Sequence, residues 1–515
     1  MQELLSLLQQ ISYESVRGDA NRRIADICCH SGRVQKDSLF VCIKGFRTDG
    51  HEYIGEALLA GAGAIVVDES YVIESRHGAL ILTEHMKVNL SQLTEKRNVC
   101  VIVVSDTRRA LSGLSAAFYN DPAKRLHMIG ITGTSGKTTT AFMTAAILRE
   151  AGYKVGMIGT ILWDNGDSRI EATHTTPESC EIQKLLSEMV EHGCDCCIME
   201  VSSQGIALQR VRDIFFDIGI FLNIEPDHIG AGEHANFSEY LYCKSRLMRQ
   251  CKVGIVNRDD PNINRILAGH TCEVETFSIR HPADATAEEG KSKMSGGKLE
   301  NCFTVRKGEK TILVTMQLPG EFNRYNALAA ILAAGHFHVS GEQIQKALQG
   351  ISVPGRCQNV TPEEPYAFLV DYAHNELSLR NLLETLRGFE PHRLIVIFGC
   401  GGNRAAVRRF LMGETAGRLA DIVILTSDNP RWENREQIIL QIREGVEAGM
   451  GMQTIHNCYE EPDRKKAVKL AIELAEPGDI LVLAGKGHEK MQEISGCYYP
   501  MEDAELIREA IEEKG

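Results

Sequence analysis

At 515 residues the chain exceeds the roughly 250–300 residues at which one hydrophobic core stops growing, so about two to four domains are expected. Hydrophobic residues at 43% and charged residues at 24% fit a soluble globular protein, and no uninterrupted apolar run reaches the ~18–20 residues of a membrane span. A formal net charge of −13 argues against nonspecific nucleic-acid binding, which needs basic surface.

Residues 1–15, MQELLSLLQQISYES, read as a short amphipathic helix with no basic n-region and no cleavage site. The sixteen cysteines are therefore expected as free thiols in a reducing cytoplasm. Cys194, Cys196 and Cys197 cluster before a strand, without a matching ligand pair nearby. The runs at 38–45, 64–67 and 100–106 are strand-like, and the segment from 51 that leads into the second of them reads as helix and Gly-rich turn. Together they form a small α/β unit, bounded at 1–106. The stretch 107–122 reads as a helix closed by Pro122.

The next region, 107–350, carries MIGITGTSGKTTTA at 128–141. A strand feeding a Gly-rich turn that opens a helix is the context of a phosphate loop. Gly133 and Gly136 let the backbone approach phosphate oxygens, Lys137 reaches the outer phosphates, and the Thr138 hydroxyl reaches Mg²⁺. Strict P-loops carry Gly where this chain has Ile131. Further strands are expected at 155–163, 196–203, 216–224 and 253–260, with polar or glycine punctuation at the ends where α/β sheets bind ligands. Glu200 and Asp227-His228 lie at two of those ends and suit a metal that bridges phosphates. Lys244 sits on a predicted helix over 237–250. Residues 280–300 read as a surface loop or hairpin tip, and Asn323 and Asn326 open an Ala-rich helix.

The third region, 351–515, alternates helices with strands at 367–374, 394–402, 421–430 and 479–487, a second parallel α/β domain. Arg356 and the run Asp371 to His374 open it. Asp428, Asn429 and Arg431 in SDNPRWENRE offer a carboxylate, an amide and a guanidinium at one spot, a set suited to a zwitterionic amino acid. GKGHE at 485–489 follows a strand and resembles an anion loop. Read alone, each of these is equally a turn or a helix cap.

In order along the chain, SGRVQKDSLF, TGTSGKTT, HTTPES, MEVSS, NIEPDH, CKSRLM, GEFNRYNALAA, PGR, DYAH, GCGGNR, LMGE, DNPR and GKGHE resemble the Mur ligase family. The resemblance implies three α/β domains: a small uridine-nucleotide domain, a central P-loop-type ATPase domain and a Rossmann-like amino-acid domain. It implies ATP-dependent phosphorylation of the carboxylate of UDP-MurNAc-L-Ala-D-Glu, then attack by the amine of a diamino acid, within peptidoglycan synthesis. It assigns Gly133, Thr134, Ser135, Gly136, Lys137, Thr138 and Thr139 to the ATP phosphates, Asn323 and Asn326 to the adenine side, and Arg356 and Asp371 to ATP. Thr138, Glu200, His228 and Lys244 would hold Mg²⁺, Lys244 as a carbamate. Lys137, Lys244, Glu200 and His228 form the catalytic set. Ser31, Thr175, Thr176, Ser202 and Arg210 would contact the UDP-MurNAc-dipeptide. Arg409, Asp428, Asn429, Pro430, Arg431, Gly485 and Glu489 would hold the amino acid. The DNPR form implies meso-diaminopimelate, whose second carboxylate would pair with Arg431; lysine lacks that group.

Departures from the family pattern fall at His30-Ser31-Gly32, Ser202-Ser203-Gln204, Leu208, Ile229-Gly230 after the metal-site histidine and Asn375-Glu376 after DYAH, most of them at or next to the uridine-substrate positions. Ser135 replaces the phosphate-loop asparagine. Two other readings stand beside the first: a divergent paralogue that ligates to a different carboxylate, and a nucleotide-binding regulator that does not ligate. The expectation is a monomeric cytoplasmic enzyme with small-molecule substrates and no nucleic-acid or membrane partner.

Overall fold

β-Branched runs alternating with helices form parallel strands flanked by helices, as their pattern predicts. The computed structural model describes the chain except residues 46–47, 74–78, 84, 86, 91, 97, 228, 231–232, 289, 362, 451–454 and 515. Two compact units result: Met1–Lys137 with Gly152–Glu275, and Thr138–Ala151 with Thr276–Gly515.

In the first unit a five-stranded sheet is ordered Ser15–Arg17, Cys100–Val104, Ala64–Asp68, Ser38–Val41, Asp26–Cys28. Only its first pair is antiparallel. Successive side chains point to opposite faces. Leu39, Val41, Val66 and Ile102 therefore pack with the helix Thr107–Phe118, while Phe40, Ile65 and Val101 pack with Ile54 and Ala57. That helix ends at Phe118, not at Pro122. Asn120 and Asp121 turn left-handed, at φ 59° and 50°, and Pro122 opens a 3₁₀ turn instead. The N-terminal helix is only Leu4–Leu8.

Part of a larger sheet runs through this unit in the order Arg169–Glu171, Leu162–Asp164, Val155–Ile158, Cys196–Glu200, His127–Thr132, Phe216–Phe221, Cys251–Asn257. From Val155–Ile158 onward all neighbours are parallel, so their C-terminal ends point one way. The single strand expected at 155–163 is a hairpin: Leu162–Asp164 turns back antiparallel to Val155–Ile158. The segment expected as a helix over 237–250 is an α-helix over Phe237–Ser245 and a 3₁₀ turn over Arg246–Arg249.

In the second unit residues 280–300 are largely strand. Lys291–Ser295 pairs antiparallel with Lys298–Lys307, in which buried and partly buried residues alternate. That alternation lets a polar segment keep one apolar face inward. Asn323 and Asn326 do open a helix, Glu321–Gly335. A six-stranded sheet is ordered Gln358–Asn359, Ala367–Asp371, Ile480–Ala484, Leu394–Phe398, Ile422–Leu425, Cys458–Glu460, and only its first pair is antiparallel. Leu369, Val396 and Val482 pack with the helices Glu376–Arg387, Ala406–Leu419 and Arg435–Met450. Phe368, Ile395 and Leu481 pack with Arg464–Leu474 and Asp503–Lys514. Helices on both faces of a parallel sheet give the expected Rossmann-like layering. Among the described residues no helix is long and apolar enough to cross a membrane.

Candidate active site

The strand His127–Thr132 runs into the turn at 133–136, and the helix Lys137–Glu150 follows. Gly133 has φ 154° and Gly136 φ 87°, and a Cβ on Gly133 would lie 3.0 Å from Leu222 Cβ. Asn223, just past the neighbouring strand, fixes the turn. Its carbonyl accepts from Thr134 N (3.0 Å), its Oδ1 accepts from Ser135 N (2.9 Å), and its Nδ2 donates to Ser135 O (3.1 Å). Thr134 Oγ1 accepts from Glu225 N (3.0 Å) and lies 3.0 Å from Tyr240 OH. The phosphate-loop motif does not single out Asn223 or Tyr240, although Asn223 opens NIEPDH at a strand end.

Two amines converge on one carbonyl of this turn. Lys137 Nζ donates to Gly133 O (2.8 Å) and Thr134 O (3.1 Å), and Lys244 Nζ donates to the same Gly133 O (2.8 Å). Lys244 is only 2% exposed, and its Nζ lies 5.0 Å from the Tyr240 ring centroid. Burial, and then the Lys137 cation, push the Lys244 amine well below its ordinary value, with Asp227 opposing. A lowered amine pKa raises the share of free, nucleophilic amine, which is what reaction with CO₂ requires.

Glu200 ends its strand fully buried. Oε1 accepts from Thr160 N (2.9 Å) and Oε2 from Thr160 Oγ1 (3.0 Å). This contact explains the hairpin: a Cβ on Gly159 would lie 2.4 Å from Glu200 Oε1, so the chain must turn there without one. Expected substrate residues join the same network. Thr175 Oγ1 lies 3.0 Å from Thr160 Oγ1, Thr176 Oγ1 donates to Glu200 O (2.8 Å), and Ser202 N donates to Thr176 Oγ1 (3.0 Å). Arg210 donates from Nη2 to Glu178 Oε1 (2.6 Å) and from Nη1 to Thr176 O (2.8 Å). Ser31 lies apart from this network in the 3₁₀ turn Ser31–Arg33, where its Oγ donates to Glu56 Oε2 (3.0 Å). His228 lies outside the described residues.

In the second unit Thr138 and Thr139 are buried in the first turn of their helix. Asn323 and Asn326 are also buried. Asn326 Nδ2 donates to Asn323 Oδ1 (3.0 Å), Asn323 Nδ2 to Pro319 O (2.7 Å), and Thr140 Oγ1 to Asn326 Oδ1 (3.3 Å). Asp371 fastens the loop that carries Arg356: its Oδ2 accepts from Cys357 N (2.8 Å) and its Oδ1 from Ala373 N (2.8 Å). The Arg356 guanidinium stacks 4.6 Å from the Tyr372 ring centroid.

The residues expected to hold the amino acid gather at the C-terminal ends of this unit's parallel strands. Asp428 is buried, and burial raises its carboxyl above the ordinary value against the pull of Arg464 and Lys486. Gly485 has φ 112°, and a Cβ on it would lie 2.7 Å from Asp428 Oδ2. Asn429 Nδ2 donates to Glu489 Oε2 (2.9 Å). The fully buried Lys486 donates to Asn429 Oδ1 (3.2 Å) and Met491 O (2.6 Å), and pairs with Glu489 (3.3 Å). Pro430 lies against Gly402, where a Cβ would meet Pro430 O at 1.9 Å. Arg431, in a left-handed conformation at φ 55°, donates from Nε to Glu493 Oε2 (3.2 Å) and from Nη1 to Gly402 O (3.0 Å). Arg409 is buried and bonds Gln441 Oε1 (2.7 Å) and Glu433 Oε1 (3.0 Å). Its helix and the next approach closely over Gly413, Gly417, Gly445 and Gly449.

One pair here carries no motif signal. Arg464, fully buried, bonds Asp503 through Nε and Nη2, each at 2.7 Å. Its Nη1 also donates to Ser427 O (3.3 Å) and its Nη2 to Ala484 O (3.2 Å). Those carbonyls immediately precede Asp428 and Gly485, so Arg464 ties together two strand ends of the pocket.

Comparison with known proteins places the chain in a family. Residues 23–119 match the Mur ligase family, catalytic domain; 131–334 match the Mur ligase middle domain; and 355–487 match the Mur ligase, glutamate ligase domain. The chain is 37% identical over 513 residues to the UDP-N-acetylmuramoyl-L-alanyl-D-glutamate--2,6-diaminopimelate ligase of Caldanaerobacter subterraneus subsp. tengcongensis, covering 99% of each. It is 38% identical over 515 residues to the ligase of that name from Clostridium tetani, again covering 99% of each. A solved structure of a ligase of the same name superposes with a TM-score of 0.68 at 26% identity, covering 100% of this chain and 99% of that one. With such similarity from end to end, this chain belongs to the Mur ligase family.

Proposed function

We propose that the chain is an ATP-dependent amide ligase that joins meso-diaminopimelate to UDP-N-acetylmuramoyl-L-alanyl-D-glutamate in peptidoglycan precursor synthesis. The observation that carries this reading is the end-to-end similarity to ligases named for that reaction. The glycine turn with Lys137 folded over it and the acidic and basic residues around Asn429 support it.

A carboxylate is a poor electrophile, and phosphorylation gives it a leaving group. The carboxylate oxygen attacks the γ-phosphorus of ATP, the bond to ADP breaks, and an acyl phosphate forms. The amine then attacks the acyl carbon, phosphate leaves, and the amine loses a proton. In the first step two anions meet, and Lys137 offsets their repulsion. Gly133–Thr139 would hold the phosphates, Asn323 and Asn326 the adenine side, and Arg356 and Asp371 would also bind ATP. Ser31, Thr175, Thr176, Ser202 and Arg210 would hold the uridine substrate. Arg409, Asp428, Asn429, Pro430, Arg431, Gly485 and Glu489 would hold the amino acid, with Asp428 and Glu489 on its ammonium and Arg431 on its second carboxylate.

Mg²⁺ belongs to the proposal, held by Glu200, Lys244 as a carbamate, Thr138 and His228. Carboxylate, carbamate and hydroxyl oxygens are the hard donors that Mg²⁺ prefers, and His228 lies outside the described residues. Burial favours the free amine of Lys244, which would add CO₂ and release a proton, placing an anion beside Lys137. When bound, the ion would supply further charge screening at the phosphates. The proposal also includes three domains divided at 106/107 and 350/351, and a monomeric cytoplasmic enzyme.

Phosphate release with ATP, UDP-MurNAc-L-Ala-D-Glu and diaminopimelate tests the reading. Lys137→Ala is expected to lower turnover by about 10²–10³-fold. Lys244→Ala is expected to abolish turnover, with partial return on adding short carboxylates. Wild-type release no faster than that of Lys137→Ala rejects the ligase reading. Release only with a non-uridine carboxylate would instead assign a different acceptor.

A further inference from the structure

Arg431, the residue expected to meet the substrate's second carboxylate, already has a carboxylate partner in the chain. Glu493 lies on the hairpin formed by Met491–Ile494 and Cys497–Pro500. Its Oε2 accepts from Arg431 Nε at 3.2 Å, while Arg431 Nη1 donates to Gly402 O at 3.0 Å. The backbone holds this pairing in place. Arg431 N donates to Glu493 O (3.1 Å), Ser495 N donates to Arg431 O (2.6 Å), and Glu493 N donates to Asn429 Oδ1 (3.0 Å). The two side chains are 31% and 23% exposed, so water screens the pair only in part.

We propose that Glu493 is a specificity-determining residue: as the chain's own carboxylate on Arg431, it sets how tightly the second carboxylate of a diamino dicarboxylic acid is held. The inference rests on the diaminopimelate reading above. A second carboxylate arriving at Arg431 meets a guanidinium whose charge is already balanced and an anion fixed beside it. Like charges so close repel at half-buried sites. A substrate without that carboxylate, such as lysine, does not feel the repulsion. Glu493 therefore weakens the binding of the dicarboxylic acid while leaving lysine unaffected, and it keeps Arg431 from capturing unrelated anions.

Glu493→Gln tests this because the amide oxygen still accepts from Nε and only the charge is removed. Diaminopimelate and lysine are titrated into the full-length wild type and variant by calorimetry, and KM and kcat are measured alongside. For the variant, the diaminopimelate Kd and KM are expected to fall roughly 3–10-fold. The kcat and the lysine affinity are expected to stay put. The gain is expected to shrink as salt rises, which a merely structural pair would not produce. Unchanged or weaker diaminopimelate binding by a folded variant overturns the inference and leaves the ligase reading intact. No diaminopimelate binding by either protein rejects that reading and this inference together.

Discussion

The turn at Gly133–Lys137 and the pocket around Asp428 both follow the C-terminal ends of parallel strands, yet they are organised by different forces. The turn is shaped by backbone geometry. Glycines allow its path, the Asn223 amide clips it, and its two amines rest on the turn's own carbonyls. The pocket is shaped by fixed charge. Arg464 with Asp503, Lys486 with Glu489, Arg409 with Glu433 and Arg431 with Glu493 are all paired within the chain. A turn that would cradle a phosphate chain needs mainly a backbone path that fits the ligand, with Lys137 at hand as a cation. A site for a zwitterion must hold both signs apart in advance, and pre-paired charges do that.

The contrast breaks first at its most buried pair. Arg464→Met leaves Asp503 buried and uncompensated, with an expected loss of about 3–5 kcal/mol of stability. Replacing both residues with apolar ones is expected to restore most of that loss, because two buried charges disappear together. The Ser427 and Ala484 carbonyls would still be untied, so the diaminopimelate KM should remain raised while phosphate-loop function is kept. Urea unfolding and steady-state kinetics on both variants measure this. A double variant with an unaltered KM would show that Arg464 serves stability alone.

A smaller effect is expected at His488, within GKGHE. Its Nδ1 is buried with no hydrogen-bond partner among the described residues, and burial, then Arg356, lower its pKa to about 4. The unfolded chain takes up this proton near pH 6.5 and the folded chain only near 4. The His488 contribution is therefore fully present above pH 6.5 and is lost as pH falls toward 4, by about 2–3 kcal/mol. His488→Phe should show a smaller drop in unfolding free energy between pH 7 and 4.5 than the wild type. An equal drop would mean the ring is accessible to a proton in the folded state.

The sequence made the motif residues legible because their signals are local. A glycine turn after an apolar run marks Gly133 to Lys137, and a polar knot after another marks Asp428 to Arg431. Strand positions followed from the same local patterns. What stayed hidden was pairing across distance. Ser135 meets Asn223 88 residues away, Arg431 meets Glu493 62 away, and Arg464 meets Asp503 39 away, beyond any helical or strand period. The bend at Gly159 was hidden for the same reason, since its cause is the Glu200 carboxylate on another strand. The glycines of Ala406–Leu419 and Arg435–Met450 did carry a readable small-residue spacing, which marks the close helix contact behind Arg409.

The smallest expected effect falls on Arg431, the residue on which the expected diamino-acid preference turns. If Arg431 were a lone buried cation, its loss would cost several kcal/mol of selectivity. It is instead half-buried and already balanced by Glu493, so a substrate carboxylate gains only part of its charge. Arg431→Ala is therefore expected to cost about 1–2 kcal/mol in the preference for diaminopimelate over lysine, read as the ratio of the two kcat/KM values. In the Glu493→Gln background the same substitution should cost more, because the arginine removed there carries an uncompensated charge. A cycle of the four proteins gives this coupling directly. Equal losses in both backgrounds would mean that Glu493 does not modulate the arginine. A loss well above this range in the wild type would mean that the pair opens on binding and frees the full charge of Arg431 for the substrate.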